Sequence, residues 1–289
     1  MKALVLSGGG SKGSFQAGAI KYLLNELNIH YDIICGVSVG ALNGAFLSMF
    51  SKGEEKESSK LLLEMWNNID TSKIYKRWFP FGRWHALWQK SFYDSSPLHK
   101  LAYQTLNLEK IRNSKKQIVV GAVSLNSGKY HIFNQNHDNF IEAVIASASF
   151  PGMLSPVYFL NQLWIDGGVK EISPVQQAIN LGATNIDVIT TSPQDRIKKF
   201  IHNPTTVDIL KRAIDVSTDK IMSNDLEKLE SNNKLALANI KEKKYIRYNI
   251  IRPPFNLVED LLDFNKYKIN EMIDIGYSCA KKLYVLKEE

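Results

Sequence analysis

The chain has 289 residues, of which 44% are hydrophobic and 22% are charged. This composition excludes a disordered or collagen-like chain, and the length is near the upper limit for one hydrophobic core. The formal charge of +7 favours anionic surfaces such as phospholipid headgroups or nucleic acid, but no nucleic-acid-binding motif is present. Only two cysteines occur, which are too few for a disulfide framework and predict a reducing compartment.

The first fifty residues alternate between segments typical of buried strands and segments with helical periodicity. Residues 3–6 and 33–36 are short apolar runs; the first is closed by Ser7-Gly8-Gly9-Gly10, and the second ends at Gly36. Apolar residues recur every three or four positions over residues 15–27, and residues 41–47 predict a second helix. This order predicts a three-layer α/β sandwich, in which a mainly parallel central sheet is covered by helices on both faces.

The remainder of the chain continues the α/β pattern without an internal repeat. Further strands are predicted at residues 117–124, 130–133, 164–165, 186–190 and 245–251. Residues 141–147 predict a helix that stops at Pro151-Gly152. We expect one domain over residues 1–289, with a motif-bearing core to about residue 195 and a helical region from about residue 200.

A GxSxG motif, Gly36-Val37-Ser38-Val39-Gly40, lies where a predicted strand meets a predicted helix. This is the context of a nucleophile elbow, a sharp turn that exposes a serine hydroxyl at the carboxyl end of a strand. The glycines leave room for neighbouring strands or for substrate, and the following helix N-terminus is electropositive. We therefore predict Ser38 as a catalytic nucleophile, and the alternative is a structural glycine turn.

A glycine-rich loop follows the first predicted strand and consists of Gly8, Gly9, Gly10, Ser11, Lys12 and Gly13. It satisfies the dinucleotide-binding pattern GxGxxG, which also requires an acidic residue at the end of the second strand. Asp32 precedes that strand, however, and Ser38 follows it. The phosphate-loop pattern fails as well, because glycine follows Lys12. Backbone N–H groups at a helix start bind anions, and an oxyanion is such an anion.

Asp166 begins an Asp-Gly-Gly sequence with Gly167 and Gly168 at another predicted strand end. A β-turn is the alternative explanation of any Asp-Gly pair. A serine nucleophile needs a base, which is usually histidine, but none of the six histidines is predicted in a glycine-framed turn at a strand end. Asp166 is the better candidate, while His131 and His137 stay open.

In this order, the loop with its basic Lys12, the GxSxG motif and Asp-Gly-Gly resemble the motifs of the patatin-like phospholipases. The segment Ala146-Ser147-Ala148-Ser149-Phe150-Pro151-Gly152, rich in small residues, and a Ser-Pro-Leu element at 96–98 are also similar to that family. The resemblance covers about residues 1–190, whereas the C-terminal third agrees only in its helical character.

This resemblance implies a lipid acyl hydrolase with a Ser–Asp dyad and no cofactor or metal. Ser38 would attack the ester carbonyl of a phospholipid, Asp166 would accept the proton, and the loop of residues 8–13 would hold the oxyanion. Two alternatives stay open. One is a catalytically silent lipid-binding protein on the same fold, and the other is a nucleotide-binding protein that uses the GxGxxG loop.

Residues 74–93 contain three of the five tryptophans, Trp78, Trp84 and Trp88, interleaved with lysine and arginine. Such a segment fits a membrane interface, where rings lie at headgroup depth and cations meet lipid phosphate. The alternative is a cap over residues 70–100 that packs its aromatic side chains inward. Since no leader and no membrane-spanning run occur, we expect a cytoplasmic protein, soluble or peripheral to the inner face of the membrane.

Overall fold

A mixed β-sheet forms the centre of the computed structural model, which describes residues 1–78, 88–194, 205–238 and 243–286. The strands are β1 (Lys2–Leu6), β2 (Ile33–Gly36), β3 (Gln117–Ser124), β4 (Tyr130–Asn134), β5 (Val157–Phe159), β6 (Gln162–Asp166), β7 (Asn185–Ile189) and β8 (Arg247–Ile251). The helices in the described ranges are α1 (Gly13–Lys21, continued by a π-helical turn at Tyr22–Glu26), α2 (Val39–Leu47), α3 (Glu55–Asn67), α4 (Thr71–Ile74), α5 (Ser96–Thr105), α6 (Leu108–Asn113), α7 (Phe140–Ser147), α8 (Val175–Asn180), α9 (Thr206–Leu237) and α10 (Lys266–Val285).

The strands follow the order β5-β6-β3-β2-β1-β7-β8, and β4 also pairs with β3. Neighbouring strands are parallel in the series β3-β2-β1-β7-β8. Strands β4 and β6 run antiparallel to β3, and β5 runs antiparallel to β6. The carboxyl ends of β1, β2 and β7 therefore lie together at one edge of the sheet, the usual place of binding sites in α/β proteins.

Strand β3 brings the ends of β2 and β6 together. It pairs with β2 through its first half, with β4 through its middle and with β6 through its last three residues. Because the β4 pairing overlaps both others, β2 and β6 lie one after the other along the same edge of β3. Gly36 at the end of β2 is opposite Val120, and Asp166 at the end of β6 is opposite Ala122. The turn after β2 is therefore placed beside Asp166.

Helices cover both faces of the sheet. Successive side chains of a strand point to opposite faces, and in β1 Leu4 and Leu6 enter one core while Ala3 and Val5 enter the other. The first core is completed by α1, α2, α3, α7 and α10, and the second by α8 and α9. This architecture confirms the predicted three-layer α/β sandwich. That residues 1–289 form one domain stays a prediction.

Helix α3 begins at Glu55, whose buried carboxylate accepts a hydrogen bond at 2.8 Å from the N–H of Gly53 and lies 2.8 Å from the ring nitrogen Nδ1 of His30. Within the described residues, no helix combines the length and hydrophobicity needed to cross a bilayer.

Candidate active site

Ser38 occupies a strained turn between β2 and α2. Its φ is +58°, in the left-handed region that side chains other than glycine rarely adopt. A Cβ atom at Gly36 would overlap the backbone of Gly40, and one at Gly40 would overlap the carbonyl of Leu6. The two glycines of the motif are thus required by close backbone contacts. Ser38 stands at the N-terminus of α2, at the carboxyl edge of the sheet.

Asp166 is the last residue of β6, and its side chain is only 1% exposed. Its carboxylate accepts a hydrogen bond at 2.7 Å from the backbone N–H of Gly168 and lies within reach of the Ser38 hydroxyl. Burial raises the pKa of Asp166 to about 7, because removal from water disfavours the charged form; the contacts with Ser38 and Gly168 oppose this shift. The structure therefore brings together the predicted nucleophile and a carboxylate that titrates near neutral pH.

The C-terminal end of α7 and the residues just after it hold the backbones of Ser38 and Asp166. The sequence did not reveal this arrangement. The hydroxyl of Ser147 accepts a hydrogen bond from the N–H of Ser38 at 3.0 Å. Two residues later, the carbonyl of Ser149 accepts one from the N–H of Asp166 at 3.0 Å. Small hydroxyl residues where a hydrophobic helix stops were the only available signal.

The glycine-rich loop lies directly beside the serine, since a Cβ atom at Gly8 would be 3.1 Å from the Cβ of Ser38. Four of its six N–H groups already donate within the protein, namely those of Gly8, Ser11, Lys12 and Gly13. Among the described residues, no acceptor is found for the N–H groups of Gly9 and Gly10. The side chain of Lys12, the basic residue of the loop, is 5% exposed.

A hydrophobic cavity begins at Ser38 and Gly10 and extends between α2, α3 and α5. Its walls include Leu42, Phe46, Met65, Leu101 and Phe264. No charged residue lines it within the described part of the chain. Such a cavity accommodates a hydrocarbon group, whereas a charged group would lose its hydration there without a partner.

Asn43 is the main polar residue in the cavity wall, and it is fully buried. Its amide donates to the carbonyl of Gly13 at 3.1 Å and to the side chain of Gln16 at 3.0 Å, while its oxygen accepts from the indole of Trp66 at 2.9 Å. Gln16 in turn donates to the carbonyl of Ser7 at 2.8 Å. This network, which sequence reasoning missed, joins the cavity wall to both ends of the glycine-rich loop.

The histidines that were alternatives to Asp166 lie in other surroundings. The ring of His131 packs edge-on against Trp164 at 5.0 Å, and that of His137 against Phe133 at 5.2 Å. Among the described histidines, none hydrogen-bonds to Ser38. His85 and His202 lie outside the described residues.

The aromatic segment is only partly described, because residues 79–87, including Arg83 and Trp84, lie outside the described residues. The indole of Trp78 donates to the carbonyl of Ser91 at 3.0 Å, whereas Trp88 is 87% exposed. The segment is attached to the loop after α7, since the N–H of Phe92 donates to the carbonyl of Gly152 at 2.8 Å. Both interpretations, a packed cap and a membrane contact, therefore stay predictions.

Comparison with known proteins finds distant relatives. The family model described as patatin-like phospholipase matches residues 4–179, which contain all three motifs. The uncharacterized protein YjjU of Escherichia coli K12 is 24% identical over 66% of this chain and 52% of its own length. Human patatin-like phospholipase domain-containing protein 6 is 21% identical over 98% of this chain and 20% of its own length. Rat calcium-independent phospholipase A2-gamma is 24% identical over 73% of this chain and 30% of its own length. The chain thus spans about half or less of the length of these curated relatives.

A solved structure shares the fold. VipD from Legionella pneumophila superposes with a TM-score of 0.50, covering 98% of this chain and 66% of its own, at 14% sequence identity. At this identity the likeness concerns the arrangement of strands and helices alone.

The raised pKa of Asp166 predicts a pH-dependent cost to folding. The folded chain keeps a proton that the unfolded carboxyl, with a pKa of about 3.9, has already lost, so stability falls as pH rises from about 4 to about 7. Asp166→Asn removes this cost. We expect the variant to be more stable than the natural chain at about pH 8, with a difference of about 1.4 kcal/mol per unit of pKa shift that shrinks toward pH 4.

Urea unfolding at several pH values measures this difference. Asp274→Asn, at an exposed position of α10, is the matched control and should show no such trend. A stability difference for Asp166→Asn that does not change with pH would contradict the prediction.

Proposed function

Because the chain belongs to the patatin-like phospholipase family, we propose that it is a serine hydrolase that cleaves carboxylic ester bonds of lipids, of the phospholipase A or lysophospholipase type. One observation carries this proposal. The hydroxyl of Ser38, in a nucleophile elbow, lies within reach of the buried Asp166 carboxylate, whose pKa is about 7, beside a hydrophobic cavity. Nucleophile, base and acyl-binding space are thus adjacent.

In the first half of the reaction, Ser38 Oγ attacks the ester carbonyl carbon and its proton passes to Asp166. The tetrahedral intermediate then collapses, the bond to the alcohol oxygen breaks, and Asp166 returns the proton to the leaving alcohol. In the second half, Asp166 takes a proton from water, which attacks the acyl-enzyme. The fatty acid leaves and Ser38 recovers its proton.

Burial supplies the strength of the base. A carboxylate with an ordinary pKa of about 3.9 is a weak proton acceptor at neutral pH, whereas the most effective general base titrates near the working pH. The pKa of about 7 places Asp166 in that range. It also lets the protonated form donate to the leaving alcohol.

The backbone N–H groups of Gly9 and Gly10 are the best candidates for the oxyanion site. Of the loop residues 8–13, these are the two whose donors are not used elsewhere in the described structure. A donor of this kind typically contributes about 2.7–4 kcal/mol to the transition state. We therefore expect the glycine-rich loop to contribute to the rate of ester hydrolysis as well as to the structure of the site.

The nucleotide-binding alternative finds no support in the position of Asp32. Its N–H donates to the carbonyl of Lys2 at 2.9 Å, and its carboxylate accepts from the N–H of Lys2 at 2.8 Å. Asp32 is thus held at the amino ends of β1 and β2, at the opposite edge of the sheet from the glycine-rich loop. The silent lipid-binding alternative is separated from the hydrolase by the activity measurements below.

We expect Ser38→Ala and Asp166→Asn each to lower turnover by at least about 1,000-fold, because each removes one member of a pair that acts as a unit. Fatty-acid release from mixed phospholipid vesicles, with a chelator present, measures the loss. Ser278→Ala and Asp274→Asn, at exposed positions of α10, are matched controls that should keep full activity. Full activity of Ser38→Ala would reject the nucleophile, and an inactive natural chain would favour the silent lipid-binding protein.

The pH profile reports the base directly. We expect kcat/KM to rise with pH and to level off above about pH 7, because only ionised Asp166 accepts the proton of Ser38. Initial rates with a p-nitrophenyl ester between about pH 5 and pH 9 give the midpoint, after subtraction of the rate with Ser38→Ala. A midpoint near the ordinary carboxyl value would reject the role of burial.

We further propose that the exposed part of the aromatic segment contacts the lipid surface. Trp88 is 87% exposed, and the basic and exposed Lys90 follows it two residues later in the sequence. Both side chains fit the headgroup region, where indole rings and cations are stabilised. This contact would bring the chain to a surface that contains its proposed substrate.

Trp88→Ala should weaken binding to anionic vesicles several-fold, because the buried ring area is lost, while turnover of a dissolved short-chain ester stays unchanged. Sedimentation with vesicles measures the binding. Tyr158→Ala, an exposed aromatic position on β5, is the control. Equal binding of Trp88→Ala and the natural chain would contradict the contact.

A further inference from the structure

Two buried hydroxyl groups hold the peptide between Gly8 and Gly9. The side chain of Thr191 donates to the carbonyl oxygen of Gly8 at 2.5 Å, and the hydroxyl of Ser7 donates to the same oxygen at 3.1 Å. The N–H of Thr191 in turn donates to the hydroxyl of Ser7 at 3.1 Å. Thr191 is 2% exposed and Ser7 is fully buried, so water does not compete for these bonds.

The sheet brings these distant residues together. Strands β1 and β7 are parallel neighbours, with Leu6 opposite Ile189, and the N–H of Ser7 donates to the carbonyl of Ile189 at 3.2 Å. Both strands end at the same edge, so the segment after β7 runs directly beside the start of the glycine-rich loop. Thr191 therefore reaches the loop from a position 183 residues away from Gly8 in the sequence.

The geometry of the peptide unit gives this contact a consequence. The C=O and N–H of a trans peptide point in opposite directions. Since the carbonyl of Gly8 faces Thr191, the N–H of Gly9 faces away from it. Gly9 has a φ of +155°, and a Cβ atom there would overlap the hydroxyl of Thr191, so the backbone and the threonine fit closely. Gly8 adjoins Ser38, and Gly10 lines the cavity with it.

We propose that Thr191 is a positioning residue for the oxyanion site. By holding the carbonyl of Gly8, its hydroxyl turns the N–H of Gly9 toward the oxygen that becomes negative when Ser38 attacks an ester. The hydrogen bond to the carbonyl also polarises the peptide, which makes its N–H a stronger donor. This role rests on the proposed hydrolase function, and Thr191 acts through the backbone without touching the substrate.

The neighbouring Thr190 provides a matched control. It is equally buried, at 1% exposed, but its hydroxyl donates to the carbonyl of Ser192 at 3.1 Å and not to the loop. Thr191→Val and Thr190→Val each replace one buried hydroxyl with a methyl group of similar size. A general loss of stability affects both variants, whereas a misdirected oxyanion donor affects only the first.

The test is the steady-state kinetics of p-nitrophenyl butyrate hydrolysis by the full chain and its variants. For Thr191→Val we expect kcat to fall about 10- to 100-fold, below the loss caused by deletion of a whole donor, with KM changed less than about twofold. Thr191→Ser keeps the hydroxyl and should restore most of kcat. Thr190→Val should have the natural kcat. If Thr191→Val does not fold, as judged by thermal unfolding, Thr191→Ala gives the same comparison.

The outcomes separate this role from the function itself. Natural kcat in the folded Thr191→Val or Thr191→Ala variant overturns the positioning role and leaves the hydrolase intact. Equal losses in Thr191→Val and Thr191→Ser, together with lower thermal stability, assign Thr191 a structural role and also overturn the inference. If the natural chain does not hydrolyse the ester, the proposed function and the role of Thr191 both fall.

Discussion

The candidate site depends on one constraint of the sheet: β2 and β6 occupy successive parts of the same edge of β3. A parallel strand and an antiparallel strand therefore meet end to end, and the turn that carries Ser38 comes to lie beside the last residue of β6, Asp166. The hydrogen bonds from the end of α7 then hold both backbones in place. Without this arrangement, the two motifs would be far apart, because they come from strands that do not pair with each other.

Burial of Asp166 links chemistry to stability. The same removal from water that raises its pKa to about 7, and so makes it an effective base, makes its charged form costly in the folded chain. A strained serine in the left-handed region adds to that cost. Both costs are offset by the cores on the two faces of the sheet, which are extensive around β1 and β2. Functional sites commonly hold such unfavourable groups in place with well-packed surroundings.

The glycine-rich loop is held by segments from the whole chain. The N–H of Gly8 donates to the carbonyl of Ile172, whose own N–H donates to Asp225 on α9 at 2.8 Å, and the N–H of Ser11 donates to the carbonyl of Leu261. Lys228 pairs with Asp225 at 2.7 Å. The C-terminal third, in which the sequence resembles the family only in its helical character, thus supports the loop and contributes to the cavity wall. These outer bonds use the N–H groups of Gly8 and Ser11, those of Lys12 and Gly13 donate within the loop, and among the described residues no acceptor is found for the other two.

The sequence by itself determined seven of the eight strands, with β5 missed, as well as the elbow at Ser38, the Asp166 turn and membership of the family. These features can be predicted from short stretches of sequence, because apolar periodicity, glycine positions and motifs are properties of residues that are neighbours in the chain. Only the tertiary structure decided that Asp166, and not His131 or His137, lies against Ser38, and that burial shifts its pKa. It also decided which loop donors find no acceptor among the described residues, and that Ser147, Asn43 and Thr191 surround the site. Each of these depends on hydrogen bonds or desolvation between segments distant in the chain, and no local pattern encodes which segments will meet.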